Sequence, residues 1–122
     1  YYVQYAHARI MSILRNLEAS GIDISARGAD LSLLCENSER ALIKALAAYP
    51  SEVKAAARTR DPSRLNHYVQ SVAAAFHKFY TENRIKDAPD DVRTVRIYLC
   101  MCVKTVIKNV LSALKIEAPD KM

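Results

Sequence analysis

Residues 62–84 read PSRLNHYVQSVAAAFHKFYTENR. Apolar side chains recur in this stretch at spacings of three and four residues, which is the period of one face of an α-helix. They are Leu65, Val69, Val72, Phe76 and Phe79. Asp61 and Pro62 suit the start of a helix, because an aspartate accepts hydrogen bonds from the free N–H groups of the first turn and a proline fits the first helical position. The pattern predicts one long helix with one buried face.

The same period continues on both sides of this stretch. We predict four further helices, over residues 1–19, from Asn37 or Ser38 to before Pro50, over 51–60 and over 90–115. Gly21 is expected to end the first of them, since glycine readily adopts the left-handed conformation at a helix end. The predicted buried positions are Val3, Ala6, Ile10, Ile13, Leu14 and Leu17 in the first helix, Leu42, Ile43 and Leu46 in the second, and Val92, Val95, Leu99, Val103, Val106 and Val110 in the last.

The composition limits the fold class. The chain has 122 residues, of which only 2 are Gly and 4 are Pro, and an all-β fold would need turn residues far more often. No apolar run approaches the roughly 18 residues of a membrane span. The chain starts at Tyr1 rather than Met, so we expect a fragment of a longer protein. We predict one all-α domain over residues 1–122, an antiparallel bundle of about five helices that buries its own apolar stripes and is therefore monomeric.

The charge balance favours a polyanionic partner. The 18 Lys and Arg residues exceed the 13 Asp and Glu residues, giving a net charge of +5, and a basic domain of this size points to nucleic acid before membrane.

Cys100 and Cys102 lie two positions apart on a predicted helix, so their side chains point about 200° away from each other. The three histidines have no metal-ligand spacing, and two glycines cannot build a phosphate-binding loop. We therefore predict no metal site, no bound cofactor and no catalytic residue in this chain, with its cysteines reduced.

One flank of the first predicted helix carries residues that the core does not need. Tyr2, Tyr5 and Arg9 fall within about 60° of each other around the helix axis, well away from its apolar stripe. Aromatic rings beside a guanidinium are typical of surfaces that stack unpaired bases. The alternative is that the tyrosines pack under a loop with their hydroxyls in water.

The last predicted helix carries a basic arc opposite its apolar stripe. This arc consists of Arg93, Lys104, Lys108 and Lys115. It could follow a phosphate backbone, although a solvated basic face is the commoner explanation of such a pattern.

Several motifs resemble one family. The run Tyr2-Val3-Gln4-Tyr5-Ala6-His7-Ala8-Arg9-Ile10 is similar to the start of the C-terminal helical domain of class I arginyl-tRNA synthetases. Three later pieces agree with that family. They are Asp61-Pro62-Ser63-Arg64-Leu65 leading to Phe76-His77-Lys78-Phe79-Tyr80, Arg96-Ile97-Tyr98-Leu99, and the final run from Leu114 to Met122. The family usually has Gly where Lys115 stands.

The resemblance covers essentially the whole chain and implies a DALR-type anticodon-binding domain, a helical bundle that holds the anticodon stem-loop of arginine tRNA. By motif, it implies that Tyr2, Tyr5, Arg9, Tyr80 and Met122 help form the anticodon-loop surface. It also implies a cytoplasmic parent enzyme, an arginine–tRNA ligase that uses ATP with Mg. The family's ATP-binding signatures, HIGH and KMSK-like, occur nowhere in this sequence, so the chain is expected to be inactive without its own catalytic domain.

Two other functions remain open at this point. A helical protein–protein interaction module without nucleic-acid binding would explain the bundle and the thiols, but it would not explain the aromatic and arginine flank. A stand-alone metal or thiol enzyme is disfavoured by the directions in which the cysteines point.

Overall fold

A computed structural model describes residues 2–122, and Tyr1 lies outside that range. Within it the chain forms α1 (Tyr2–Ala19), a 3-10 turn (Leu31–Leu33), α2 (Asn37–Ala47), α3 (Tyr49–Thr59), α4 (Pro62–Glu82) and α5 (Asp90–Ala113). These are the five helices of the described range, which contains no strand. The predicted all-α class is confirmed, and the bounds differ from the predicted ones by one or two residues.

The core lies where α1, α4 and α5 pack against one another, while α2 and α3 pack on α4. On α4 the predicted stripe is buried at Val69, Val72, Phe76 and Phe79, with Leu65 only partly covered. All six predicted apolar positions of α1 are buried as well. On α5 the predicted set is buried except for Val92 and Val106, which are half-buried. Each of the three long helices therefore buries one face, as its period predicts.

Two predictions about α2 are wrong. Neither Asn37 nor Ser38 is its cap residue, because the helix is capped one position earlier by Glu36. The carboxylate of Glu39 accepts the Glu36 N–H at 3.0 Å, and the Ser38 hydroxyl is buried and accepts a bond from the Asn83 side chain at 2.7 Å.

The second wrong prediction concerns Ile43, which the sequence predicts to be buried and which is 37% exposed. The core-facing position of α2 is Leu42, which is fully buried, so its neighbour is turned about 100° towards solvent.

The helix ends follow ordinary capping chemistry. Gly21 has a positive φ of 85°, and the Ile22 N–H closes α1 by donating to the Leu17 carbonyl at 3.1 Å. Asp61 accepts the Ser63 N–H at 3.0 Å at the start of α4, as predicted. The end of α5 has the same geometry as the end of α1, but Lys115 holds the left-handed position with φ 62°.

An ion pair joins α2 to α5. Arg96 Nε lies 2.8 Å from Glu39 Oε2, with side chains that are 13% and 1% exposed. Because Glu39 also accepts a backbone N–H at the start of α2, this buried carboxylate has partners for both oxygens. Arg96, which belongs to the Arg96-Ile97-Tyr98-Leu99 motif, therefore has a structural role, because losing either partner would leave the other charge buried and unpaired.

None of the helices over residues 2–122 combines the length and the apolar character that crossing a bilayer requires.

Candidate nucleic-acid interface

The flank of α1 singled out in the sequence lies on the surface. Tyr2 is 49% exposed, Tyr5 is 48% exposed and Arg9 is exposed. The adjoining side of the same helix is buried at Ala6 and Ile10. Two aromatic rings and a guanidinium are thus presented on a helix whose other face is fixed in the core.

Arg9 is held by two aromatic residues. Its Nη1 donates to the Tyr5 hydroxyl at 3.3 Å, one helical turn away. Its guanidinium carbon lies 5.3 Å from the centre of the Tyr80 ring on α4, within the range of a cation–π contact. The Tyr80 ring is itself stacked on Phe76, a fully buried residue, with centroids 6.1 Å apart and planes 16° apart. The core therefore supports Tyr80, and Tyr80 supports Arg9.

A cleft of about 510 Å³ opens between α1, the end of α4 and the C-terminal segment. Its walls are Tyr5, Ala8, Arg9, Ser12, Ile13, Arg15, Asn16, Tyr80, Lys121 and Met122. Four of the five predicted site residues meet here, although Met122 lies more than one hundred positions from Tyr5 in the chain. The fifth, Tyr2, does not line this cleft but lies beside it on the same face of α1.

Side chains of α1 hold the C-terminal segment in place. Gln4 Nε2 donates to the Glu117 carbonyl at 2.9 Å, and Arg15 Nη1 donates to the Asp120 carbonyl at 3.2 Å. Between them, His7 Nδ1 lies 2.9 Å from the Pro119 carbonyl. These contacts bring Met122, which is 64% exposed, to the wall of the cleft.

The cleft has the electrostatic character of an anion site. Arg9, Arg15 and Lys121 line it, and no Asp or Glu side chain of residues 2–122 does. Ser12 and Asn16 add a hydroxyl and an amide, which offer both donors and acceptors. Rings, cations and neutral polar groups on one concave surface suit a flat, polar ligand that carries a phosphate.

His77 extends the aromatic surface beside the cleft. Its ring lies 5.3 Å from that of Tyr2 and 6.3 Å from that of Tyr5, measured between centroids. Partial burial, and secondly the nearby charge of Arg9, hold the pKa of His77 below its ordinary value of 6.5. The ring is therefore mostly neutral at pH 7 and can stack without adding charge.

The basic arc of α5 lies elsewhere, since none of its four residues lines the cleft. Arg93 pairs with Asp90 at 2.7 Å and also donates to the Lys86 carbonyl. Lys104 is half-buried, whereas Lys108 and Lys115 are exposed. A role of the arc in phosphate binding stays a prediction.

The sequence interpretation missed five residues of this surface. They are Ser12, Arg15, Asn16, His77 and Lys121. Ser12 and Asn16 continue the spacing of Tyr5 and Arg9 along α1, so the helical period contains the signal for them. Arg15 lies about 80° to one side of Tyr5, and only its bond to Asp120 shows why it belongs here. No sequence spacing relates His77 or Lys121 to α1.

The cysteines form no shared site. Cys35 is exposed, Cys102 is half-buried and Cys100 is buried, and burial raises the pKa of the Cys100 thiol to about 12. Over residues 2–122 no three His, Cys, Asp or Glu side chains come close enough together to hold a metal ion.

Comparison with known proteins relates the whole chain to one family. The model of the DALR anticodon binding domain matches residues 3–122. The chain is 48% identical over 123 residues to the arginine–tRNA ligase of Caldanaerobacter subterraneus subsp. tengcongensis, and 44% identical over 123 residues to that of Ruminiclostridium cellulolyticum. In both cases the match covers 100% of this chain and 22% of the relative, so the chain spans about a fifth of the length of these proteins.

A solved structure agrees with the sequence matches. The arginyl-tRNA synthetase of Thermus thermophilus superposes with a TM-score of 0.84 at 32% identity, over 99% of this chain and 21% of that one. The resemblance drawn from the motifs is thereby confirmed. The chain belongs to the family of DALR anticodon binding domains.

Proposed function

We propose that this chain binds the anticodon stem-loop of arginine tRNA, as the tRNA-recognition domain of an arginine–tRNA ligase. The observation that carries the proposal is the cleft in which Tyr5, Arg9, Tyr80 and Met122 meet, with no Asp or Glu side chain of residues 2–122 in its walls. Family membership gives the class of ligand, and the cleft is the surface of this chain whose chemistry suits it.

The geometry suits an unstacked base. A base that leaves the loop stack needs an aromatic or guanidinium plane to replace its lost neighbours, and Tyr5 and Arg9 offer such planes, with Tyr80 supporting Arg9. Met122 adds an adaptable apolar contact. Arg15 and Lys121 lie on the same walls, where each could meet the phosphate beside that base.

The genetic code indicates which base should be gripped. All arginine codons share G in the middle, so the middle base of every arginine anticodon is C. A single binding domain for this set of tRNAs should hold that base and tolerate variation beside it. Ser12 and Asn16 offer donors and acceptors to the edge of such a base at the cleft wall.

The parent protein is proposed to attach arginine to this tRNA with ATP and Mg, in the cytoplasm. The present chain does not suit ATP, because both of its glycines lie at isolated turns, Gly21 after α1 and Gly28 before the 3-10 turn. We expect the chain alone to be monomeric and to show no arginine-dependent exchange of pyrophosphate into ATP. In the full-length enzyme it would dock on the enzyme's own catalytic domain.

An electrophoretic shift separates this proposal from a helical interaction module that binds no nucleic acid. The 122-residue chain would be titrated against arginine tRNA and against a random RNA of equal length, at one salt concentration because charge alone gives salt-dependent binding. The proposal expects arginine tRNA to shift at clearly lower protein concentration. Equal shifts would reduce the surface to a non-specific basic patch, and no shift of either RNA would favour the interaction module.

A further inference from the structure

His7 is an unusual residue for its place. It lies on the buried side of α1 and is only 1% exposed, although the other buried residues of that helix are all apolar. Its Nδ1 lies 2.9 Å from the Pro119 carbonyl oxygen. A carbonyl can only accept, so Nδ1 carries the proton and donates. The other ring nitrogen, Nε2, is buried without any hydrogen-bond partner.

Packing alone does not explain a histidine at this position. A buried polar atom without a partner destabilises a fold, and an apolar side chain of similar size would avoid that cost. The single bond that His7 makes is therefore the feature that distinguishes it from a leucine in the same position. That bond reaches 112 positions along the chain, to the C-terminal segment.

Besides the packing of Ala118 against the core, the C-terminal segment, residues 117–122, has few contacts that fix it. Along the described chain, the last backbone-to-backbone hydrogen bond is the one that the Ile116 N–H donates to the Leu111 carbonyl. Within the described range the segment is held by hydrogen bonds from Gln4, His7 and Arg15, of which the one from His7 is part-buried and the other two are exposed. Met122 is largely exposed, so its own contacts do little to locate it.

We infer that His7 is a positioning residue, whose Nδ1–H bond to Pro119 anchors the C-terminal segment on α1 and so places Lys121 and Met122 at the wall of the RNA-binding cleft. The inference rests on the proposed function for its link to RNA. The anchoring itself is a property of the free chain, and the two parts can be tested separately.

Three substitutions and one truncation test the anchor. His7→Leu removes the donor, His7→Asn keeps an N–H donor near the position of Nδ1, and His7→Gln moves the donor towards the position of Nε2. The truncated chain ends at Ala118 and so lacks the anchored carbonyl together with Lys121 and Met122. Labelling with methyl-¹³C methionine gives three NMR signals, from Met11, Met101 and Met122, and the first two report whether each variant is folded.

In the RNA-free chain, the Met122 signal should be displaced by the tyrosine rings of the cleft. It should move to the random-coil position in His7→Leu and in His7→Gln, and it should stay displaced in His7→Asn, while Met101 is unchanged throughout and Met11, one helical turn from His7, stays away from its random-coil position. Should His7→Leu fail to fold, the comparison of His7→Gln with His7→Asn decides in its place. A Met122 signal that is the same in the wild type, His7→Gln and His7→Asn would overturn the anchor.

Binding of the arginine anticodon stem-loop gives the second test. His7→Leu should weaken the affinity for this stem-loop about fivefold or more, which is the effect of one lost hydrogen bond. In the truncated chain the same substitution should cause no further loss of affinity. If the affinity losses caused by His7→Leu and by the truncation add up when the two changes are combined, His7 does not act through the C-terminal segment and the inference is wrong. If the wild-type chain does not prefer the arginine stem-loop, the proposed function fails, while the Met122 signal still decides whether His7 anchors the segment.

Discussion

The Arg9 guanidinium lies 5.3 Å from the centre of the Tyr80 ring, although the two residues stand 71 positions apart on α1 and α4. The same guanidinium donates to the Tyr5 hydroxyl, so Arg9 is already oriented in the free chain. Because Tyr80 stacks on the buried Phe76, this orientation is tied to the core. If a base binds in this cleft as proposed, it meets side chains that are already oriented, so binding has less side-chain entropy to remove.

Replacing Tyr5 with alanine should weaken binding of the arginine anticodon stem-loop about 5- to 150-fold at fixed salt, since a stacked base is worth about 1–3 kcal/mol. Tyr5 is 48% exposed, so its loss should change the free energy of unfolding only slightly. Fluorescence anisotropy with labelled RNA measures the affinity, and urea melts measure the stability. The matched control is Tyr5→Phe, which keeps the ring and loses only the bond to Arg9. A Tyr5→Ala chain with a lowered melting midpoint and unchanged affinity would place this residue among the packing residues.

Replacing Lys115 with glycine should stabilise the chain by about 0.5–1 kcal/mol. An L-residue pays about 1–2 kcal/mol in the left-handed conformation that Lys115 adopts, and the greater backbone freedom of unfolded glycine returns part of that gain. Chemical denaturation of both chains measures the difference. Lys115→Ala, which removes the charge but keeps the Cβ, should show no such gain. Equal gains in both variants would attribute the effect to the lost charge.

The stability of the chain should fall as the pH drops from about 7.5 to 5, with His77 contributing. Its pKa is lowered in the folded chain by burial and by Arg9. The unfolded chain therefore takes up a proton near pH 6.5 while the folded chain still resists it. The contribution of neutral His77 to the free energy of unfolding is complete while the pH is above the pKa that His77 has in the unfolded chain. It is lost as the pH falls towards the lower pKa that His77 has in the folded chain. Urea melts at several pH values should show a flatter profile for His77→Gln, and parallel profiles would contradict this assignment.

Salt dependence tests the basic arc of α5. If about four phosphates meet this arc, the logarithm of the association constant should fall with the logarithm of salt concentration at a slope near −3. Replacing Lys104 and Lys108 with glutamine together should make that slope shallower by about 1.5–2. An unchanged slope in this double variant would move the phosphate contacts away from α5, towards the cations of the cleft.

Periodicity and capping residues predict most of the fold. Asp61 and Pro62 start α4, Gly21 ends α1, and the stripes of the three long helices face the core. The wrong predictions lie on α2, where Leu42 is fully buried and the neighbouring Ile43 is 37% exposed. How much of the face of this short helix is covered depends on how α2 packs against its neighbours, and this tertiary relationship has no local signal.

The site is only partly readable from the sequence, for a related reason. Helical spacing places Tyr5 and Arg9 on one exposed flank, and the family resemblance adds Tyr80 and Met122. Spacing cannot relate α1 to the C-terminal segment, because that contact depends on side-chain bonds such as the one from Arg15 to Asp120. His7 illustrates the limit most clearly, since at a buried helical position its sequence context indicates packing and its partner lies at the other end of the chain.

The most direct measurement of the central claim compares two anticodon stem-loops that differ in one base. One carries an arginine anticodon with C in the middle, and the other has U in that position within the same stem and loop. The account predicts that the 122-residue chain binds the first at least about tenfold more tightly at equal salt, because the wrong base edge leaves polar groups of the cleft unpaired. The preference should shrink in Tyr5→Ala. Equal affinity for the two RNAs would contradict the claim that this cleft recognises the arginine anticodon.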